Sequence, residues 1–585
     1  MSAIKQIREI MKKHKIDFYI APSADAHQSE YVADYYRGRA YLSGFTGSAG
    51  TLLVGLNEAK LWTDGRYFIQ AEEQLKDTGI DLMKIAVEGY ETLNEWIAAN
   101  IKEGNVLSLD GNCYSFNQYK ELKKIAEKNK FKIEMNKDIL NEVWLDRPSL
   151  PKDKMFIHEE KYAGKSVDEK LNAIREIMKK EKVSSYLVSS LDDIAWCFNI
   201  RGNDIAFNPV VISYAIITMD QAELYVDKNK VTPDVEERLK LQNINIFEYD
   251  EIEKAVKELS GRVMIDPAKV NAKLAALISA EIVERSNITT ELKAIKNDVE
   301  IANLEKCQVR DGVAMVKFIK YLKENVGKKE ITEISAAEKL SAIRAEGENA
   351  KGDSFSTIAG YKEHAAMMHY SATEESNYEL KPAGLFLVDS GGQYLDGTTD
   401  ITRTFVLGDL TDEEKRDFTL VLKGHINLAR AKFLKGTNGM NLDILARGPL
   451  WQYGIDYKCG TGHGVGFFLN VHEGPQGIRP RGNDVPLEPG MILTNEPGVY
   501  KEGKFGIRTE NTLLVVKDET TESGEFYRFE TISYCPIDLD GVKVKLLNPE
   551  EKLWLNRYHR IVYEKLSPYL NKEEKEFLKY ETREI

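Results

Sequence analysis

Apolar and polar positions follow several different periods along this chain. The opening stretch, MSAIKQIREIMKKHK, intersperses apolar residues with charges in the manner of an amphipathic helix. Its core heptapeptide, IREIMKK, occurs at residues 7–13 and again at 174–180. Each copy runs into a β-rich stretch, first IDFYIAPSADAHQ and then VSSYLVSSLDDIAW. Helix, strand and polar loop follow in the same order both times, which predicts two related α/β units. Between them, DRPSLPKDK (residues 146–154) carries two prolines and many charges and reads as a linker.

A new pattern begins at IKNDVEIANLEKCQVRDGVAMVKFIKYLKENV. Apolar residues recur at three- and four-residue spacing, and Asn297 or Asp298 can cap the start, so a long helix opens a third region. From residue 384 onward strand patterns dominate: GLFLVDSGG, TTDITRTFVLG, MILTNEPGVY and GIRTENTLLVVKD. The last stretch, EEKLWLNRYHRIVYEKLSPYLNKEEKEFLKYETREI, is helical again and is expected to pack on the third region. One segment breaks the pattern. GTGHGVGFFLNVHEGP, residues 460–475, holds His463 and His472 nine positions apart, with Gly460, Gly462, Gly464 and Gly466 around the first. So many glycines make a poor helix and a poor strand, and they let backbone pass close to something.

Bulk properties narrow the classes. A chain of 585 residues, 42% hydrophobic, is too long for one domain; at about 150 residues per domain it holds roughly three or four. The net charge of −13, from 80 basic and 93 acidic residues, is spread out and argues against nucleic-acid binding. Five scattered cysteines with no CxxC pair speak for reduced thiols and against a structural zinc site. No run approaches the ~20 apolar residues of a membrane span. The first segment lacks the apolar core of a signal peptide. A cytoplasmic protein is expected.

Three familiar motifs fail. AGKS at 163–166 lacks the P-loop's first glycine, since Glu159 stands there. VHEG starts like HExxH, but Gln476 takes the place of the second histidine. FTGSAG has Thr46 where GxSxG needs glycine.

One constellation survives. In LVDSGGQYLDGTTDITRT, Asp389 ends a buried strand pattern and Asp400 begins the next, with Asp396-Gly397 in the turn. A hairpin would bring Asp389 and Asp400 together, and alternation puts Asp400, Thr402 and Thr404 on one face. Two carboxylates facing a core repel and are costly to bury unpaired. Exposed turn aspartates are the bland alternative. Glu496 follows another apolar strand, in MILTNEPGVY, and Glu510 lies in GIRTENTLLVV. A glutamate in such a strand needs a partner; Arg508 is one candidate. A dinuclear metal site accounts for Asp389, Asp400, His463, Glu496 and Glu510 at once. Carboxylate oxygens with one imidazole suit Mn²⁺ best, and Co²⁺, Fe²⁺ or Zn²⁺ as well. The glycines around His463 would let that loop approach the metals and substrate.

At these residues the chain resembles the pita-bread metallopeptidases, the family of methionine aminopeptidase, prolidase and aminopeptidase P. DSGGQYLDGTTDITRT, GTGHGVGFFLNVHEGP, TNEPGVY and IRTEN look most like the long cytosolic form of aminopeptidase P. The likeness extends to AHQSEYVADYY, SGFTGSAGTLLV, LWTDGRYFIQAEEQL, IAWCFNIRGNDIAFNPVVISYAII and LWLNRYHR, and so covers nearly the whole chain. It implies an α/β (α+β) fold. Two related N-terminal α/β domains, 1–155 and 156–298, precede a pita-bread catalytic domain, 299–540, with a helical extension, 541–585, packed on it.

The same resemblance implies hydrolysis of the bond between any N-terminal residue and a following proline. Asp400 and Glu510 would bridge two divalent ions, Asp389 would hold one, and His463 with Glu496 the other. A bridging hydroxide would attack the carbonyl carbon, with Glu496 as proton shuttle. His369 and His472 would hydrogen-bond substrate and oxyanion, and Arg508 would bind substrate. Peptides with proline second are the expected partners, and a homodimer the expected assembly, with no nucleic acid and no membrane. Relatives often carry a further histidine four residues before the ligand histidine; here that position is Cys459. His364 is expected to be a surface histidine. Prolidase, confined to dipeptides, is the nearest alternative, and a non-catalytic binding protein on the same fold a more distant one.

Overall fold

The repeated heptapeptide marks a repeated unit. In its first copy, helix α1 (Ala3–His14) buries Ile4, Ile7 and Met11 and leads into strand β1 (Phe18–Pro22). Strands β2 (Thr51–Gly55), β3 (Ala59–Thr63), β4 (Asp81–Lys84), β5 (Val106–Leu109) and β6 (Lys132–Glu134) complete a six-stranded sheet in the order β4-β3-β2-β1-β5-β6. In the second copy, helix α2 (Val167–Glu181) buries the matching Ile174 and Met178. Strands β7 (Ser185–Val188), β8 (Ser213–Thr218), β9 (Ala222–Val226), β10 (Ile244–Phe247), β11 (Arg262–Ile265) and β12 (Glu281–Glu284) then form the sheet β10-β9-β8-β7-β11-β12. The pairing repeats as well. β1 is antiparallel to β2 and parallel to β5, as β7 is to β8 and β11.

The computed structural model describes residues 2–585; residue 1, where the first segment was expected to begin, lies outside them. Within these residues the chain divides into two compact units. One runs up to His158 and includes Lys165–Thr289; the other is Glu159–Gly164 with Thr290–Ile585. The two α/β halves share the first unit, where Phe116 N donates to Val270 O and Ala272 N to Tyr114 O. Residues 146–154 carry neither helix nor strand. The stretch after β7 departs from expectation. Leu191–Cys197 is a helix, not a polar loop, because Leu191, Ile194, Ala195 and Trp196 give it a buried face at helical spacing.

The second unit opens with helix α3 (Asp298–Asn325). Asn297 caps it, accepting from Val299 N and Glu300 N, while Glu300 reaches back to the cap's own N–H. Helix α4 (Glu333–Ala345) follows. Strands β13 (Ile358–Tyr361), β14 (Leu385–Ser390) and β15 (Ile401–Val406) form an antiparallel sheet, with β14 and β15 buried along their whole length. After helix α5 (Asp412–Ala429) comes a second sheet. It contains β16 (Lys432–Leu434), β17 (Gly462–Gly464), β18 (Glu473–Ile478) and β19 (Ile492–Asn495). The hairpin of β20 (Gly498–Lys501) and β21 (Phe505–Arg508) interrupts the chain before β22 (Asn511–Thr521) and β23 (Gly524–Thr531) complete that sheet, in the order β16-β23-β22-β19-β17-β18. Helices α6 (Pro549–Leu566) and α7 (Lys572–Glu581) close the unit. Leu555, Val562 and Leu578 join one apolar core with Val316 of α3 and Phe418 of α5.

The glycine-rich segment is the main correction. Residues 462–464 do form a strand, because neighbours on both sides supply what the sequence lacks locally. A Cβ on Gly462 would lie 2.0 Å from Thr494 O, and one on Gly464 2.3 Å from Glu473 O. The glycines therefore admit adjacent backbone from β19 and the start of β18.

Candidate metal centre

Several strand ends meet at one place. Antiparallel β14 and β15 set Asp389 opposite Thr402 and Ser390 opposite Ile401, so Asp389 and the residue just before β15, Asp400, end up as neighbours across the ladder. The chain leaves β21 at Arg508 and enters β22 at Asn511, and Glu510 occupies that junction with its N–H on Thr402 O at 3.1 Å. Glu496 follows β19, its N–H on Thr461 O at 2.8 Å, and β17 presents His463 between them. His463 Nε2 lies 3.4 Å from Asp400 Oδ2 and 3.5 Å from Glu496 Oε1. Side-chain atoms of Asp400, His463 and Glu510 all fall within 4.8 Å of one another. His463 Nδ1 is turned to Gly464 O at 2.9 Å, which fixes the ring and leaves Nε2 facing the carboxylates.

The electrostatics are lopsided. Burial pushes the Asp389 carboxyl up to about 6; Arg508 opposes this, while Asp400 and Glu496 add to it. Glu510 is held well above the usual carboxylate range, first by burial and then by Asp400, Asp389 and Glu496. Burial alone would lower His463, but Asp400 and Glu496 outweigh it and bring the ring to about 9. Among the described residues, the buried Asp389 Oδ1 meets no hydrogen-bond donor. Four carboxylates with one imidazole, mutually repelling and short of donors, are a chemical fit for divalent cations.

The surroundings differ in part from expectation. Arg508 does not pair with Glu510. Its Nη2 donates to Asp389 Oδ2, its Nη1 to the Tyr500 hydroxyl at 2.6 Å and its Nε to Thr402 Oγ1 at 3.1 Å. Glu510 instead accepts from Thr402 Oγ1 at 2.7 Å. Strand alternation fails through 508–510 because the chain changes strands there. Asp396 lies in the turn, as expected, and is buried against Arg310, both contacts at 3.0 Å. His472 meets His463 edge to face, ring centres 4.3 Å apart, so the nine-residue spacing closes on itself. Glu473, next along β18, is buried and bridges two buried lysines, Lys296 and, at 3.2 Å, Lys293. That ion triad had no signal in the sequence, as its parts lie some 180 residues apart. His369 is part-exposed, in the loop after β13. His364 is not at the surface: it is buried, stacked on Tyr378 at 3.8 Å and paired with Glu333. Cys459 packs at the edge of the apolar core that also borders Tyr500, and its carbonyl accepts from Arg447 Nη2.

Comparison with known proteins places this arrangement. Residues 302–517 match metallopeptidase family M24, and 525–585 match the C-terminal region of peptidase M24. Residues 4–133 and 146–300 each match a creatinase/prolidase N-terminal domain. A probable Xaa-Pro aminopeptidase P of Aspergillus flavus is 41% identical over 100% of this chain and 92% of its own length. The crystal structure of an X-prolyl aminopeptidase from Caenorhabditis elegans, described as a cytosolic enzyme with a di-nuclear active site, superposes with a TM-score of 0.95. It shares 33% identity and covers 100% of this chain and 99% of that one. A Xaa-Pro dipeptidase from Bacillus anthracis has the same fold over 64% of this chain and 99% of its own, at TM-score 0.51 and 24% identity. The architecture is thus two N-terminal α/β domains followed by a pita-bread catalytic domain.

Proposed function

This chain belongs to the Xaa-Pro aminopeptidase P family, within the M24 metallopeptidases, and from that premise we propose how its acidic centre works. It is a metallo-aminopeptidase with a two-metal site. Asp389, Asp400, His463, Glu496 and Glu510 would hold the two ions. Mn²⁺ suits this oxygen-rich set best, with Co²⁺, Fe²⁺ or Zn²⁺ compatible. When bound, the ions supply a shared water of lowered pKa as nucleophile and polarise the scissile carbonyl. The observation that carries this reading is the gathering of Asp400, Glu496 and Glu510 around His463, with Asp389 facing Asp400 and Glu496 and keeping one oxygen without a donor.

The chain's own residues do the rest. Glu496, part-exposed and steadied by Thr494 Oγ1 at 3.2 Å, takes the nucleophile's proton and delivers it to the departing proline nitrogen. His472 and His369 donate hydrogen bonds to substrate and to the oxygen that gains charge. Arg508 bears on substrate through Asp389 and the Tyr500 hydroxyl, which it holds. Proline matters because its tertiary amide has no N–H, so a site shaped for that ring accepts a bond other sites handle badly. Substrates are peptides with proline second, and the working form is a cytoplasmic homodimer. The division at 155, 298 and 540 stands as part of this proposal. Similarity to the Aspergillus flavus relative over the whole of this chain and 92% of that protein favours an aminopeptidase over a dipeptidase.

The test is metal-depleted protein with Mn²⁺ restored, assayed on an Arg-Pro-Pro peptide, an Xaa-Pro dipeptide and an Xaa-Ala control. Metal-dependent release of the first residue from the Arg-Pro-Pro peptide is expected. Cleavage confined to the dipeptide moves the assignment to prolidase.

A further inference from the structure

The loop that carries His369 is held by a single carboxylate outside the acidic centre. Glu333, the first residue of α4, is fully buried. Its Oε1 accepts from Tyr361 N at 2.7 Å and from His364 Nδ1 at 3.0 Å. Its Oε2 accepts from the Tyr370 hydroxyl and from Tyr378 N, both at 3.0 Å. These donors bracket His369 on both sides. The His364 ring is also clamped between Tyr370, at 4.5 Å, and Tyr378, at 3.8 Å. A turn closed by Tyr370 N on Met367 O at 3.0 Å carries His369 itself. The same loop is seated on the strand of Arg508: a Cβ on Gly506 would lie 1.8 Å from Ala365 O, so no side chain can separate them.

We propose that Glu333, acting through His364, Tyr370 and the backbone of the loop, is a positioning residue for His369. This rests on the role given to His369 above. A donor aimed at developing charge must be placed closely, since a shift of about 1 Å can cost on the order of 100-fold in rate. Glu333→Gln keeps shape but turns an amide N–H₂ toward N–H and O–H donors, which frees the loop without emptying the cavity.

The experiment uses full-length, metal-loaded enzyme and the Arg-Pro-Pro peptide, with kcat, KM and metal content measured for Glu333→Gln, His369→Ala and the double variant. Expected is a kcat about 10- to 100-fold lower in Glu333→Gln, with KM and metal content nearly unchanged. On the His369→Ala background Glu333→Gln should add nothing, because the group it positions is gone. Losses that multiply in the double variant, or a loss traced to missing metal, overturn the proposal in favour of general scaffolding. Normal kcat in Glu333→Gln beside a low kcat in His369→Ala overturns this proposal alone. Full activity in His369→Ala overturns the role of His369 and this proposal with it. Should Glu333→Gln fail to fold, His364→Phe keeps the aromatic stack and loses the pair. The same non-additive drop is then expected, and a normal kcat there overturns the idea.

Discussion

Glu333 and the four acids around His463 are two answers to one problem, how to bury negative charge. Glu333 has four protein donors on its two oxygens and a histidine among them, so folding alone completes it. Asp389, Asp400, Glu496 and Glu510 share one arginine, one histidine and a few hydroxyls, and Asp389 keeps an oxygen with no donor. Glu473 falls on the first side, bridging two lysines. On the proposed function, the difference is between acids completed by their own chain and a set completed by metal.

The contrast breaks first in activity. Asp400→Asn or Glu510→Gln should abolish Xaa-Pro cleavage. The loss should exceed the ~10- to 100-fold that follows removal of a ligand's hydrogen-bond partner, and metal analysis should show depleted ions. Retained activity in either variant would place the chemistry elsewhere. Next in size, His472→Ala should lower kcat by about 100- to 1000-fold, as expected for one lost oxyanion donor, with metal content intact.

Stability should then separate the two clusters by sign. In metal-free protein, Glu510→Gln relieves repulsion and should raise the melting temperature. Glu333→Gln leaves buried donors unmet and should destabilise by about 1–3 kcal/mol. Calorimetry on both variants decides, and a shift in the same direction for both would erase the distinction.

The smallest expected effect concerns buried cations. Arg403 is satisfied by carbonyls and by Tyr558, and two buried histidines stand near it. His425 Nε2 accepts from Asn511 Nδ2, and His559 Nε2 accepts from Ile537 N, so each ring is neutral. Burial, then the charge of Arg403, holds both at about 3 against an ordinary 6.5. A depressed folded-state value gives stability that is full above pH 6.5 and drains away as pH falls toward 3. His425→Gln should flatten the acid side of the melting-temperature profile; an unchanged slope would show that the ring carries none of it.

Much of this was legible in the chain. The repeated heptapeptide pointed to a duplicated α/β unit because helix and strand occupy the same place twice, although a helix at Leu191–Cys197 replaces the loop in the second copy. Asp389 and Asp400 announced a hairpin because one sits where an apolar strand ends and the other where the next begins. Three features were not legible. Glycine at 462 and 464 reads as irregular chain until the neighbouring strands are known to pass 2.0–2.3 Å from where a Cβ would be. His364 looks like a surface histidine because the carboxylate that buries it lies 31 residues upstream. Arg508 was one candidate partner for Glu510, yet the chain changes strands between them and Arg508 pairs with Asp389. Each failure has one cause: the partner that decides the residue's role is distant in sequence.

The most direct measurement is the number of Mn²⁺ ions bound by metal-free protein, by calorimetric titration with metal analysis of the product, for wild type beside Glu510→Gln. Two ions per wild-type chain, with tight binding lost in the variant, is the predicted result. Saturation without bound ions, or the same two ions held equally well by Glu510→Gln, would contradict the claim that this acidic centre is completed by metal.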